Sequence, residues 1–160
     1  MPMPSGPSYE NTSSPFSSWW LNHVSIRVPD FDAGVEWYSE VLDFRLVHTW
    51  AYTDTITFGY LSPAVDNRTR LELMGGPGAE RKPLYSDLND SLVLYGFHHV
   101  GFRVDDVDAT FEALKGRGVN FLSEPLDFEA CNRRFAVFAD PWHNVFEIDA
   151  PIVPDGPVGQ

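Results

Sequence analysis

LNHVSIRVPD at 21–30 is nearly repeated as FHHVGFRVDD at 97–106. With an offset of 76 residues, His23, Val24, Arg27, Val28, Asp30, Asp32, Ala33 and Glu36 fall on His99, Val100, Arg103, Val104, Asp106, Asp108, Ala109 and Glu112, identical at every pair. Such agreement marks an internal duplication, and a repeat weighs more in choosing a fold than any local propensity does. Each copy places a histidine third. A core strand needs no imidazole, so the matched pair asks for a chemical reason.

Around these lines the same order of elements occurs twice. His23 to Val28 alternates polar and apolar residues and reads as a strand. Asp30 is placed to cap a helix whose apolar face is Val35, Tyr38, Val41 and Leu42. Strands from Phe44 to Val47, Thr55 to Leu61 and Arg70 to Met74 follow, the last closed by GGPG. The second copy gives a strand at His99 to Val104, Asp106 as cap, and Phe111 and Leu114 on a helix face. Gly118 suits the left-handed position after that helix. Val119 to Leu122, Arg133 to Ala139 and Val145 to Asp149 supply three more strands, with the tight turn DPWHN before the last. The expected organisation is a disordered tail at 1–18, modules at 19–76 and 97–150, a linker at 77–96 and a loose end at 151–160. Trp19 and Trp20, large and apolar, are expected to dock.

The bulk numbers narrow the function. A net charge of −12 and a pI near 4.6 argue against nucleic acid and anionic membranes, both of which demand basic patches. No apolar run approaches a transmembrane length, and the amino-terminal stretch lacks the pattern of a signal peptide, so a cytoplasmic protein acting on a small molecule is expected. The one cysteine, Cys131, excludes an internal disulfide and reads as a partly buried, inert thiol. GGPG is not followed by GK[ST] and reads as a turn, not a phosphate cradle.

If the halves are duplicates, their last strands correspond too. RLELM at 70–74 and VFEID at 145–149 place Glu72 and Glu147 at matching positions, 49 residues after His23 and 48 after His99. Strand residues point alternately to opposite faces, so each Glu lies opposite its apolar neighbours, on solvent or a pocket. One His or Glu on a half-exposed strand is usually a polar residue facing water. Four in symmetric register form a credible shell for a divalent first-row metal, with sites left for water or two substrate oxygens. Arg27 and Arg103 share the histidine faces. Each fits either a substrate carboxylate or phosphate, or a structural role, capping a strand end or bridging Asp30 or Asp106. His98 points away from His99 and reads as structural, and His48 and His143 lack partners in the other half. Tyr52, Phe58, Tyr60, Phe135 and Phe138 line a cup or fill the core.

The stretches NHVSIRVPDFDAGVEWYSEVLDF, HHVGFRVDDVDATFEALKGRGV, LELMGGPG and FADPWHNVFEID resemble the vicinal-oxygen-chelate superfamily over about residues 20–150. That group includes glyoxalase I, methylmalonyl-CoA epimerase, fosfomycin-modifying enzymes and extradiol dioxygenases. The resemblance implies an α+β fold of two tandem βαβββ modules, forming a curled, cup-shaped mixed sheet with helices outside, often in a homodimer. It places metal ligands at His23, Glu72, His99 and Glu147, with Glu147 the first candidate for catalytic base and Glu72 the second. It implies one divalent ion (Zn, Ni, Co, Mn or Fe), with glutathione as a candidate co-substrate, and matches Arg27 to an arginine that contacts the thiol's carboxylate. Two His with two carboxylates is closer to glyoxalase I and its isomerase relatives than to Fe(II) ring-cleaving dioxygenases or antibiotic-binding members. One departure is DPWHN, where relatives usually have DP-x-G-N.

Overall fold

The computed structural model describes residues 12–153. The first half runs β1 (Val24–Val28), α1 (Phe31–Leu42), β2 (Arg45–Ala51), β3 (Thr57–Ser62) and β4 (Leu71–Gly75). A short helix α2 (Leu88–Ser91) follows. The second half runs β5 (His99–Arg103), α3 (Val107–Gly116), β6 (Asn120–Phe121), β7 (Leu126–Phe128), β8 (Arg133–Ala139) and β9 (Val145–Pro151). The fold is mixed α+β with two sheets, neither closed into a barrel. Three small elements were not visible in the sequence: α2, β7 and a 3-10 turn at Glu129–Cys131. Each is four residues or fewer, too short to show a period.

Both sheets are built alike. The first and last strands of each half pair in parallel, β1 with β4 and β5 with β9, and the order continues antiparallel to β3 and β2 or to β8. Both β6 and β7 pair with β8. Asp30 and Asp106 cap their helices by accepting from the backbone N–H of Ala33 and Ala109, each at 3.0 Å. Helix α3 ends as its sequence reads. Gly118 adopts φ 84°, and the N–H groups of Gly118 and Val119 return to the carbonyls of Lys115 and Leu114. At the end of β4, Gly75 lies so close to the start of α1 that a Cβ there would overlap the backbone of Phe31.

Alternation gives each sheet an apolar face, and the two faces share one core. Ile26, Val28, Leu71 and Leu73 of the first sheet and Phe138, Phe146 and Ile148 of the second pack with Tyr38 of α1 and Phe111 and Leu114 of α3. Phe138 is thus core and does not line a cup. Tyr38 is fully buried and joins the halves: its hydroxyl donates to Asp140 Oδ2 at 2.6 Å. Burial, then the Asp140 charge, push the phenol well above its ordinary pKa. Asp140 also accepts from the N–H groups of Trp142 and Asn144 and from Asn144 Nδ2, which shapes the DPWHN turn. His143 has φ 67° there, the left-handed conformation that a glycine would adopt at low cost. Its Nδ1–H donates to the Lys82 carbonyl at 2.9 Å and ties the turn to the segment between the halves.

Two expectations fail at the periphery. Trp19 and Trp20 remain 75% and 70% exposed, and the ring contact of Trp19 is with Phe16, at 4.5 Å. Residues 12–18 make turns too small to cover an indole, while 1–11 and 154–160 lie outside the described residues. Cys131 is exposed, on a 3-10 turn none of whose residues is buried. No helix among the described residues is long and apolar enough to cross a membrane.

Replacing Tyr38 by Phe removes one hydrogen bond to a buried carboxylate. It is expected to lower unfolding free energy by about 1.5–3 kcal/mol in urea titrations. Gly75→Ala must displace backbone and is expected to cost about 3 kcal/mol or more by the same measurement.

Candidate metal centre

The parallel strand pairs place the four sequence-derived residues. In β1·β4 Ser25 stands opposite Glu72, and in β5·β9 Gly101 stands opposite Glu147. Each histidine lies two residues before that partner, on the same face, so its ring leans over the carboxylate. His23 Nε2 is 3.8 Å from Glu72 Oε2, and His99 Nε2 is 3.8 Å from Glu147 Oε2. The separation is too long for a hydrogen bond. It is shorter than a metal–nitrogen plus a metal–oxygen bond, about 4.1 Å together, so one ion can touch both atoms of a pair. The donor set, one imidazole nitrogen and one carboxylate oxygen from each half, fits a divalent first-row ion.

The two pairs are separate within one chain. Among the described residues, no group of three or more His, Cys, Asp or Glu side chains is gathered so as to hold a metal. The sheet faces carrying the pairs look away from the common core. On the first, Phe58, Tyr60 and Trp50 lie beside the pair, with the Tyr60 ring 5.6 Å from His23. His23 also opens into a groove of about 630 Å³ that reaches Val100, Gly101 and Phe102.

The pairs differ in their surroundings. Glu72 is buried and accepts a 2.6 Å hydrogen bond from Ser25 Oγ. Glu147 faces Gly101, which has no side chain to offer. Partial burial, then the nearby Asp149 charge, raise the Glu147 carboxyl above its ordinary pKa, against a smaller opposing pull from His98. Burial lowers the pKa of His99. His98 is lowered too, first by burial and then by His99, so both rings favour the uncharged form.

Each histidine has its second nitrogen engaged by the residue before it. His23 Nδ1 is 2.8 Å from Asn22 Oδ1, and His99 Nδ1 is 2.7 Å from His98 Nδ1. Asn22 and His98 occupy equivalent places under the 76-residue offset. Sequence reading missed Asn22, Ser25 and Ser91, and placed His98 away from the site. His98 escapes the alternation of the pleat because the chain before His99 is not yet strand.

The arginines are engaged within the chain. Both amino nitrogens of Arg27 donate to carbonyls: one to Val28 and to Met74 at 3.1 Å, the other to Gly76 and Pro77 at 2.8 and 2.9 Å. It clamps the GGPG turn to β1. Arg103 pairs with Asp149 at 3.4 Å, and Arg133 reaches the same carboxylate at 3.1 Å. Asp30 and Asp106 cap their helices.

Residues 20–148 match the model of the Glyoxalase/Bleomycin resistance protein/Dioxygenase superfamily, and the chain belongs to that family. A lactoylglutathione lyase of Schizosaccharomyces pombe is 29% identical over 143 residues, which cover 81% of this chain and 47% of the lyase. The chain therefore spans about half the length of that relative. A 2-epi-5-epi-valiolone epimerase of an Actinomyces species is 31% identical over 152 residues, covering 80% of this chain and 77% of the epimerase. The structure of Leishmania major glyoxalase I superposes with a TM-score of 0.60 at 24% identity, covering 82% of this chain and 86% of that one.

The raised Glu147 carboxyl gives a pH signature. A folded pKa above the unfolded one favours the fold at low pH, and that contribution is lost as pH rises from about 4.3 through the folded value. In chelator, Glu147→Gln is therefore expected to melt higher than wild type at pH 7, with the gap closing toward pH 4.

Proposed function

We propose that the chain is a divalent-metal-dependent lyase or isomerase that moves a proton next to a carbonyl of a small substrate bearing neighbouring oxygens. The observation that carries this reading is the repetition of one His Nε2–Glu Oε2 pair, at the same 3.8 Å, in both halves. The names of two relatives, a lyase and an epimerase, belong to the same broad reaction classes. An ion bound there (Zn, Ni, Co, Mn or Fe) would supply Lewis acidity to the substrate oxygens and stabilise the negative charge that builds as the C–H bond breaks.

His23, His99 and Glu72 hold the centre, and Ser25 fixes the Glu72 carboxylate through its hydroxyl. Glu147 takes the proton from carbon and, in an isomerisation, returns it to the neighbouring carbon. An epimerisation, which needs a proton delivered from the opposite face, would draw on Glu72 as the second acid. A raised proton affinity and the lack of a hydroxyl at Gly101 suit Glu147 to the task of base better than Glu72. Arg103, with its side chain 48% exposed and held by a partly exposed ion pair, is the arginine proposed to meet a substrate anion. Arg27 supports the pocket rim from the turn it clamps.

The separation of the pairs within one chain supports a centre shared by two copies, one giving His23 and Glu72 and the other His99 and Glu147. Such a homodimer holds two equivalent sites. Chains carrying His23→Ala with Glu72→Gln and chains carrying His99→Ala with Glu147→Gln are each expected to bind no metal. Co-expressed, they should recover one ion per mixed dimer, because one of its two sites is then wholly wild type. Recovery of none would place the centre within single chains.

Wild type is expected to bind one ion per chain. Glu147→Gln is expected to keep a metal but lose about 10²–10⁴-fold in turnover of the methylglyoxal–glutathione adduct or in solvent deuterium exchange beside a carbonyl. Metal-free protein purified without chelator would sink the proposal, and oxygen consumption with bound Fe(II) would favour ring cleavage instead.

A further inference from the structure

The hydrogen bonds beside His99 form a chain whose direction can be worked out. Ser91, buried at the end of α2, has its Oγ 2.6 Å from the Leu88 carbonyl. A carbonyl only accepts, so the single hydroxyl proton of Ser91 is donated there. Ser91 Oγ is also 3.0 Å from His98 Nε2, and with its own proton spent it must accept, so His98 carries a proton on Nε2. In an uncharged imidazole the other nitrogen is then bare. His98 Nδ1 and His99 Nδ1 lie 2.7 Å apart, which requires one proton between them, and His99 has to supply it. With Nδ1 protonated, His99 keeps its lone pair on Nε2, the nitrogen facing Glu147.

We propose that Ser91 and His98 are positioning residues: a relay from the Leu88 carbonyl fixes the Nδ1–H tautomer of His99 and presents the Nε2 lone pair at the candidate metal centre. The first half reaches the same end with one residue, since Asn22 Oδ1 accepts from His23 Nδ1–H. The second half substitutes a histidine and so connects its ligand to α2, in the segment between the modules. Asp87 anchors that helix by accepting from the Asp90 N–H, and the Leu88 N–H donates to the Leu122 carbonyl. A purely structural His98 would have no reason to orient a neighbouring proton.

The relay is a statement about protons in the chain itself. Its relevance to a metal rests on the proposed function, and the two parts fail separately. Long-range ¹H–¹⁵N spectra of full-length, metal-free protein at neutral pH report which imidazole nitrogen is protonated. The expected result is Nδ1–H for His99 and Nε2–H for His98. His98→Phe and Ser91→Ala should each let His99 populate the Nε2–H form. His98→Asn, which imitates Asn22, should restore Nδ1–H. A wild-type His99 protonated on Nε2, or a tautomer unmoved by both His98→Phe and Ser91→Ala, overturns the relay. Zn²⁺ titration reads the second part: His98→Phe is expected to bind about 10–100-fold more weakly and His98→Asn close to wild type. If the tautomers follow the prediction and wild type binds no Zn²⁺, the relay stands and the metal reading falls.

Discussion

The parallel pairing of the first and last strands of each half is the constraint on which the rest depends. It sets Glu72 opposite Ser25 and Glu147 opposite Gly101, and the two-residue pleat then brings His23 and His99 over those carboxylates. The same pleat sends Ile26, Val28, Leu71 and Leu73 to the other face. A one-residue slip in either pair would move the carboxylate into the core and an aliphatic side chain onto the site. Core packing therefore protects the site geometry, because the register that buries the aliphatic residues is the register that assembles the pair.

The two halves are coupled on their apolar sides. Tyr38 lies in a shared core and donates a hydrogen bond to Asp140, which in turn organises the DPWHN turn. His143 holds the left-handed position of that turn and bonds to the Lys82 carbonyl, joining it to the segment that leads to α2. Joining these sides leaves the faces with the His–Glu pairs turned away from the shared core. Beside the pairs lie Phe58 and Tyr60 on the first sheet and a small cluster of Val137, Ala139 and Val145 on the second. That arrangement is why a second copy enters the functional reading.

The pairs are alike in ligand atoms and unlike in support. The first has a hydroxyl bound to its carboxylate and an amide on its histidine. The second has glycine beside its carboxylate and a histidine leading to a buried serine. Duplication supplied equal His–Glu pairs, and later divergence around them gave the two carboxylates different support.

The repeat, the helix caps Asp30 and Asp106, the left-handed Gly118 and the faces that His and Glu share are legible in the residues alone. All follow from local chemistry or from strand period, which act within a few residues or recur at a fixed offset. The family was legible for the same reason. Contacts between distant segments settled the rest: Arg27 clamps a turn, Phe138 is core, Trp19 and Trp20 stay exposed, and His98 joins His99 to Ser91. They also leave the two His–Glu pairs apart, with no group of three or more such side chains gathered among the described residues. Those outcomes depend on contacts between segments far apart in the chain or on a kink before a strand begins, and neither leaves a period to read.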